Sequence, residues 1–133
     1  MNVKKYSCIQ LAENFLLASI RNGLTHSYDV KKNSWVKPYP EATGYLISYF
    51  SKYFQAVPPQ ILSAASHLCR IQHRTGGYFS FDNNRYLFAF DTAQIMHGFA
   101  SLYRKINEER YLDAAEKCAE FIMEMQVDNG GMF

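Results

Sequence analysis

The chain of 133 residues is long enough for one domain with a buried core, and too short for several. Apolar residues make up 48% of it and charged residues 20%, which excludes a disordered chain. The net charge is +2, and no run of Lys or Arg exceeds two residues, so the basic stripe typical of nucleic-acid binding is missing. Aromatic residues make up 16% of the chain, a high fraction that any predicted fold has to account for.

The cysteines and the N-terminal segment bear on the compartment. Cys8, Cys69 and Cys118 are odd in number and show no CxxC spacing, which argues against a disulfide framework or a zinc site. We expect them to be buried small apolar side chains. Polar residues interrupt the apolar residues within 1–20, which predicts an amphipathic helix and not a signal peptide. No segment approaches the ~20 apolar residues of a membrane span, so we expect a cytoplasmic protein without membrane contact.

The predicted elements alternate helices with two aromatic connections. Apolar residues at helical spacing predict five helices, over about 3–21, 41–55, 59–73, 92–106 and 109–126. Asn22-Gly23 is read as the C-cap of the first helix, and Pro59 suits the first turn of the third. The connections, about 24–38 and 77–90, are predicted as short hairpins that turn at Asn33-Ser34 and Asn83-Asn84.

An internal repeat organises these elements. The pattern Q-x-x-x-G-G-x-F occurs at 72–79 and again 54 residues later at 126–133. Gly23 lies 53 residues before Gly76 in a weaker copy, and Ala42-Thr43-Gly44 matches Asp91-Thr92-Ala93 at an offset of 49. The whole of 1–133 is therefore predicted as one repeat domain with landmarks near 23, 76 and 130.

Three segments carry a family resemblance. Residues 39–45 (YPEATGY), residues 90–94 (FDTAQ) and the Q-x-x-x-G-G-x-F motifs resemble the alpha/alpha-toroid superfamily. That superfamily includes squalene and terpene cyclases, protein prenyltransferase beta subunits and many carbohydrate-active enzymes. Among its members, the chain is most similar to uncharacterised bacterial toroid proteins associated with polysaccharide biosynthesis. Neither the Asp-rich motifs of the cyclases nor the zinc ligands of the prenyltransferases and lanthionine cyclases are recognisable.

The resemblance implies an all-α fold of repeated helical hairpins that form part of a toroid. Complete toroids have more helices than the five predicted here. The resemblance therefore implies completion by a second copy of the chain, with a homodimer favoured. No nucleic acid, metal or cofactor is predicted.

Glu41 and Asp91 are the candidate catalytic acids, and His97 is a further acid–base candidate. Each acid is predicted near the start of a helix, close to clustered aromatic residues. The resemblance implies that, in a complete carbohydrate-active toroid, two such acids facing the central cleft would act as general acid and base. The structural alternative is capping. Asp91 to Gln94 fits a capping box, and Glu41 after Pro40 fits a first turn that favours carboxylates.

Aromatic residues form the candidate ligand-binding set. The faces of aromatic rings suit the apolar C–H faces of sugars, and tyrosine hydroxyls add hydrogen bonds. The alternative is that these rings pack the connections over the helix ends. The set consists of Trp35, Tyr39, Tyr45, Tyr86 and Phe88, together with Gln94.

Three functions remain open. The favoured one is a non-catalytic binding or oligomeric interaction module with a carbohydrate-related ligand. The first alternative is a carbohydrate-active enzyme, or a fragment of one, in polysaccharide metabolism that uses the acids at the helix starts. The second alternative is a truncated gene fragment without a present function.

Overall fold

The computed structural model describes residues 7–80, 85–128, 130 and 131. This part of the chain contains five helices and a three-stranded antiparallel sheet of strand order β1-β2-β3. The elements in chain order are α1 (Cys8–Ala18), β1 (Ile20–Arg21), β2 (Leu24–Asp29), β3 (Ser34–Tyr39), α2 (Pro40–Tyr53), α3 (Pro59–Ile71), α4 (Ala89–Ile106) and α5 (Glu109–Glu124). The five predicted helices are confirmed. The strictly all-α prediction is wrong, because the first connection and the residues before it form the sheet.

Asn22 and Gly23 form a strand turn and not the predicted helix C-cap. Helix α1 ends at Ala18, and β1 pairs with β2 through a two-residue loop. Asn22 and Gly23 have φ values of 52° and 83°, the pair of positive torsions that a tight hairpin turn requires. Asn-Gly is a strong signal for both structures, and the pairing of Arg21 with Leu24 decides between them.

The two connections differ in how far they form hairpins. In the first, β2 pairs with β3, and the Asp29 carboxylate accepts the backbone N–H of Lys31 at 2.9 Å, which shapes the turn. In the second, Phe79 and Leu87 form an isolated antiparallel bridge. The predicted turn at Asn83-Asn84 lies outside the described residues.

Helices α2 and α4 pack directly on each other through glycines. A Cβ atom on Gly44 would lie 2.6 Å from the Gln94 carbonyl oxygen, and one on Gly98 would lie 2.7 Å from the Gly44 oxygen. Further along, the Ser48 and Ser101 hydroxyls are 3.1 Å apart. Later residues of α2 thus contact later residues of α4, so the two helices run parallel. Its apolar side forms the centre of the core with α3 and α5, through Ile47, Phe50, Ile61, Leu68, Ile95, Phe99, Leu102 and Tyr111.

The repeat is visible in equivalent hydrogen bonds. The Thr43 hydroxyl accepts the Thr25 backbone N–H at 2.8 Å, and the Thr92 hydroxyl accepts the Tyr78 N–H at 3.1 Å. Each threonine also donates to the carbonyl four residues earlier, at 3.0 Å and 2.7 Å. These bonds tie each connection to the first turn of the helix that follows it.

The Gln72 motif holds the second connection against α5. The Gln72 amide donates to the carbonyls of Gly76 at 3.1 Å and Ala114 at 3.0 Å. Gly76 has a φ of 90°, and a Cβ atom there would lie 2.0 Å from the Lys117 backbone oxygen. The first copy of the motif is therefore a packing device between neighbouring helical units.

The second copy of the motif forms the same turn, but without a close backbone contact like that of Gly76 with α5. Val127 N–H donates to the Gly131 oxygen at 2.8 Å, as His73 N–H donates to Gly77 at 3.1 Å. Gly130 has a φ of 82°, yet the nearest described atom to a Cβ there is the Gln126 amide nitrogen, at 4.0 Å. No described residue from another helical unit comes within 4 Å of a Cβ at this position.

The cysteine and membrane predictions have separate outcomes. Cys118 is buried, as expected, and Cys69 is only half-buried, whereas the prediction is wrong for Cys8, which is exposed on α1. Within the described part of the chain, no helix has the length and apolar character needed to span a bilayer.

Candidate functional site

Glu41 and Asp91, the acid pair, lie in the first turns of the parallel helices α2 and α4. Glu41 follows Pro40 at the start of α2, as predicted. The predicted capping box at Asp91 is wrong: α4 begins at Ala89, its N-cap is Phe88, and no side chain caps it. Asp91 is thus the third residue of the helix. Thr92, which ties Tyr78 to this turn, organises the helix start instead.

Asp91 is almost enclosed. Its side chain accepts a hydrogen bond from Ser80, while its Oδ2 atom is buried without a partner among the described residues. Burial raises the pKa of the Asp91 carboxyl, and the Ser80 bond opposes that shift. The carboxyl group therefore retains its proton at a higher pH than an exposed aspartate does.

Glu41 is electrostatically coupled to Asp91. Burial is the main cause that raises the pKa of Glu41, and the nearby charge of Asp91 raises it further. The backbone N–H groups of Glu41 and Ala42 act in the opposite direction. The Glu41 Oε2 atom, like Asp91 Oδ2, is buried without a described hydrogen-bond partner. Each of these two neighbouring carboxyl groups thus has one buried oxygen whose capacity to accept a hydrogen bond is not used by the described residues.

A cavity of about 330 Å³, the connection cavity, is lined by neighbours of the acid pair, although neither Glu41 nor Asp91 itself lines it. It lies between the two connections and α3. Two of its lining residues touch the site: Pro40 precedes Glu41, and Ser80 binds Asp91. Its wall is mainly apolar, and is formed by Leu24, Pro38, Pro40, His67, Ile71, Tyr78, Phe79 and Ser80.

His67 is the histidine of this wall. Arg70 donates to its Nδ1 atom at 3.4 Å, so the neutral ring carries its proton on Nε2. Burial, and then the charge of Arg70, lower the pKa of His67. His67 also lines a larger cavity of about 500 Å³ beside Gly23, which has no lining residue from α2 or α4.

Sequence reasoning did not assign His67 or Ser80 to the site. A signal existed for Ser80, which repeats Ser27 at the 53-residue offset of the glycines. None existed for His67, because its place in the wall follows from how α3 packs against the first connection.

Trp35 is turned toward α1. Its ring centroid lies 5.1 Å from that of Phe15 on α1 and 5.0 Å from that of Tyr28 on β2. The structure therefore places Trp35 in an aromatic cluster that joins the hairpin to the first helix.

The other predicted ligand-binding residues lie around the starts of α2 and α4. Tyr39 and Phe88 are the N-cap residues of the two helices. Tyr45 and Tyr86 are 48% and 60% exposed, which leaves their rings accessible to a ligand. Gln94 is half-buried, and its backbone carbonyl meets Gly44 at the helix crossing.

His97 lies away from the start of α4. It follows Asp91 by six residues, roughly 9 Å along a helix axis. Its Nε2 atom is 3.2 Å from the Lys52 ammonium group, and since lysine only donates, Nε2 is the acceptor. Across the described residues, no group of three His, Cys, Asp or Glu side chains is arranged to hold a metal ion.

Comparisons with protein-family models, with curated proteins and with solved structures found no match for this chain.

Proposed function

We propose that the chain is a non-catalytic binding module that takes a carbohydrate-related ligand at the acid pair and the connection cavity. One observation carries the proposal: Glu41 Oε2 and Asp91 Oδ2 are both buried without a described hydrogen-bond partner. A buried polar atom in that state costs about 1–3 kcal/mol, and a ligand that donates a hydrogen bond to it would offset that cost. Sugar hydroxyls are donors of the required kind.

The surroundings of the acid pair support a ligand of this class. The connection cavity, at about 330 Å³, is within the usual range for small-molecule sites, about 300–1,000 Å³. Its apolar wall suits the C–H face of a sugar ring. Near the starts of α2 and α4, the exposed rings of Tyr45 and Tyr86 offer further faces on which a sugar ring can stack.

A thermal-shift screen with oligosaccharides tests the binding function. A ligand should raise the melting temperature of the wild type, and Glu41→Gln and Asp91→Asn should each lose that rise, because an amide replaces one acceptor with a donor. Asp113→Asn, which changes an exposed acid on α5, is the matched control and should keep it. An equal rise in both acid variants and the wild type would refute the proposal.

Catalysis is the second candidate function, favoured by the raised pKa values of the two coupled acids. A pKa raised by burial favours the protonated form of a carboxyl group, and general acid–base hydrolysis of glycosides uses one proton-donating carboxyl group beside an ionised one. Polysaccharide hydrolysis by the wild type, abolished in the Glu41→Gln, Asp91→Asn double variant, would support it. Undiminished hydrolysis by the double variant would exclude the acid pair as its catalyst.

The module is proposed to be part of an α/α toroid that a second copy completes. The parallel α2–α4 pair, with α3 and α5 packed beside it, supports this arrangement. Helix α1 has no buried residue, and Ile9, Leu11 and Phe15 are exposed on it. Apolar side chains grouped in this way typically mark an interface.

Light scattering at micromolar concentration tests the association. We expect a dimer for the wild type, a monomer for Leu11→Lys, and a dimer for the control Val30→Lys, which changes an exposed apolar residue of the β2–β3 turn. A strictly monomeric wild type would contradict the proposal.

A further inference from the structure

A third cavity lies at the opposite end of the α2–α4 pair. It has a volume of about 250 Å³ and is lined by Ser51, Lys52, Ser101, Arg104 and Lys105. Lys52, Arg104 and Lys105, the basic cluster, belong to the last turns of the two helices. Lys52 is eleven residues beyond Glu41, roughly 16 Å along the helix, so this cavity is separate from the acid pair.

Among the described residues, no acidic partner neutralises the charges of the basic cluster. In the described part of the chain, no carboxylate forms an ion pair with any of the three side chains. Lys52 lies within hydrogen-bond distance of the His97 Nε2 atom, at 3.2 Å, and not of a carboxylate among the described residues. Helix C-termini favour cations, which explains why basic residues occur here. Three cations around one small cavity nevertheless repel one another, and a bound anion would relieve that repulsion.

The Ser51 hydroxyl is an independent sign of a ligand. Ser51 is 3% exposed, and its Oγ atom is buried without a hydrogen-bond partner among the described residues. The hydroxyl of Ser101, on the facing helix, is satisfied by Ser48 at 3.1 Å. The helix dipole does not account for an unsatisfied hydroxyl in the wall of the cavity.

We propose that this cavity binds a phosphate group, either as free phosphate or as a phosphomonoester. A guanidinium group binds two phosphate oxygens at once, ammonium groups add point charges, and a serine hydroxyl donates to a further oxygen. A tetrahedral anion can meet donors that converge from two helices, whereas the two oxygens of a carboxylate lie in one plane. The cavity is smaller than the about 300–1,000 Å³ of sites for whole drug-sized ligands, which fits a single anionic group.

Titration calorimetry and thermal shift at pH 7 test the site, with sodium phosphate and methyl phosphate as probes. Ionic strength is kept constant with sodium chloride, because general screening alone changes the stability of a charged protein. We expect saturable binding of at least one probe, and the ratio of the two affinities distinguishes the free ion from an ester. Binding of neither probe, or an equal response to acetate, would overturn the proposal.

Variants assign the binding to this cavity. Arg104→Gln should weaken phosphate binding about tenfold or more, the loss expected for a hydrogen bond to a charged group. Lys31→Gln, which removes an exposed cation from the β2–β3 turn, is the matched control and should leave the affinity unchanged. Equal affinities for wild type and Arg104→Gln would refute the assignment.

Ser51→Ala separates a ligand role from a structural one. Removal of an unsatisfied buried hydroxyl should raise the melting temperature of the free protein while it weakens phosphate binding about two- to tenfold. A lower melting temperature with unchanged phosphate affinity would show that the hydroxyl serves the fold alone and would count against the site.

Discussion

The two copies of the glycine turn give a matched test of how neighbouring helical units pack. Gly76 and Gly130 have φ values of 90° and 82°, and equivalent backbone hydrogen bonds close the two turns. They differ in their surroundings: a Cβ on Gly76 would lie 2.0 Å from the Lys117 oxygen on α5, and one on Gly130 would have its nearest described neighbour at 4.0 Å. Alanine at either site suffers the same torsional strain, but only alanine at position 76 also clashes with a neighbouring helix.

The expected costs follow from these two contributions. Left-handed torsions cost alanine about 1–2 kcal/mol, and this applies to both variants. Only Gly76→Ala adds a clash with a backbone oxygen of α5, which cannot rotate away. Overpacking of this kind costs about 1–3 kcal/mol and at times more, and so short a contact belongs at the upper end. We therefore expect Gly76→Ala to destabilise the fold by about 3–5 kcal/mol and Gly130→Ala by about 1–2 kcal/mol.

Urea unfolding followed by circular dichroism measures both values. The cost of Gly76→Ala is a large part of the about 5–15 kcal/mol stability of a typical domain, so its transition should begin at low urea concentration. Measurements at several protein concentrations keep any association from distorting the comparison. If the two variants lost the same free energy of unfolding, within about 0.5 kcal/mol, the Gly76→Ala clash with α5 would be refuted, since that is roughly the scatter of such comparisons.

Three further predictions concern the helix pair. Burial raises the pKa of Asp91 in the folded state above its value in the unfolded chain. The fold therefore loses stability as pH rises through the folded-state pKa and Asp91 becomes charged. Asp91→Asn should therefore raise the melting temperature more at pH 7 than at pH 3, and a difference independent of pH would contradict this. Thr92→Val should cost about 1–3 kcal/mol in urea unfolding by leaving the Tyr78 N–H without its acceptor, while Thr92→Ser, which keeps the hydroxyl, should cost less. Gly98→Ala should be destabilising by the same measurement, because overpacking of about 1–3 kcal/mol at the Gly44 oxygen outweighs the about 1 kcal/mol of helix propensity gained; a stabilised variant would contradict the close crossing.

The sequence predicts well where local chemistry decides the structure. Pro40 and Pro59 each begin a helix, since proline fixes φ and needs no N–H partner in a first turn. The 54-residue recurrence of the glycine motif correctly predicts equivalent turns at Gly76 and Gly130. Helical apolar spacing likewise predicts all five helices, with ends that differ by a few residues.

Where tertiary contacts decide, the sequence predicts less. Asn22-Gly23 suits a helix C-cap as well as a strand turn, and pairing between Arg21 and Leu24 selects the turn. A capping box suits the residues from Asp91 to Gln94. In the structure α4 instead begins two residues earlier, at Ala89, and the Thr92 hydroxyl accepts the Tyr78 N–H. That shift moves Asp91 from a cap into a buried first turn. Sequence reasoning therefore found the acid but not the environment that raises its pKa.

The parallel packing of α2 and α4 accounts for both candidate sites. Parallel helices bring two N-termini together at one end, where carboxylates are favoured, and two C-termini together at the other, where cations are favoured. The acid pair and the basic cluster follow that polarity. Gly44 and Gly98 bring the two backbones close together, so side chains on one helix reach those on the other at both ends. A substitution that separates the helices at this crossing should therefore weaken the coupling between Glu41 and Asp91 and spread the basic cluster, although it touches neither site.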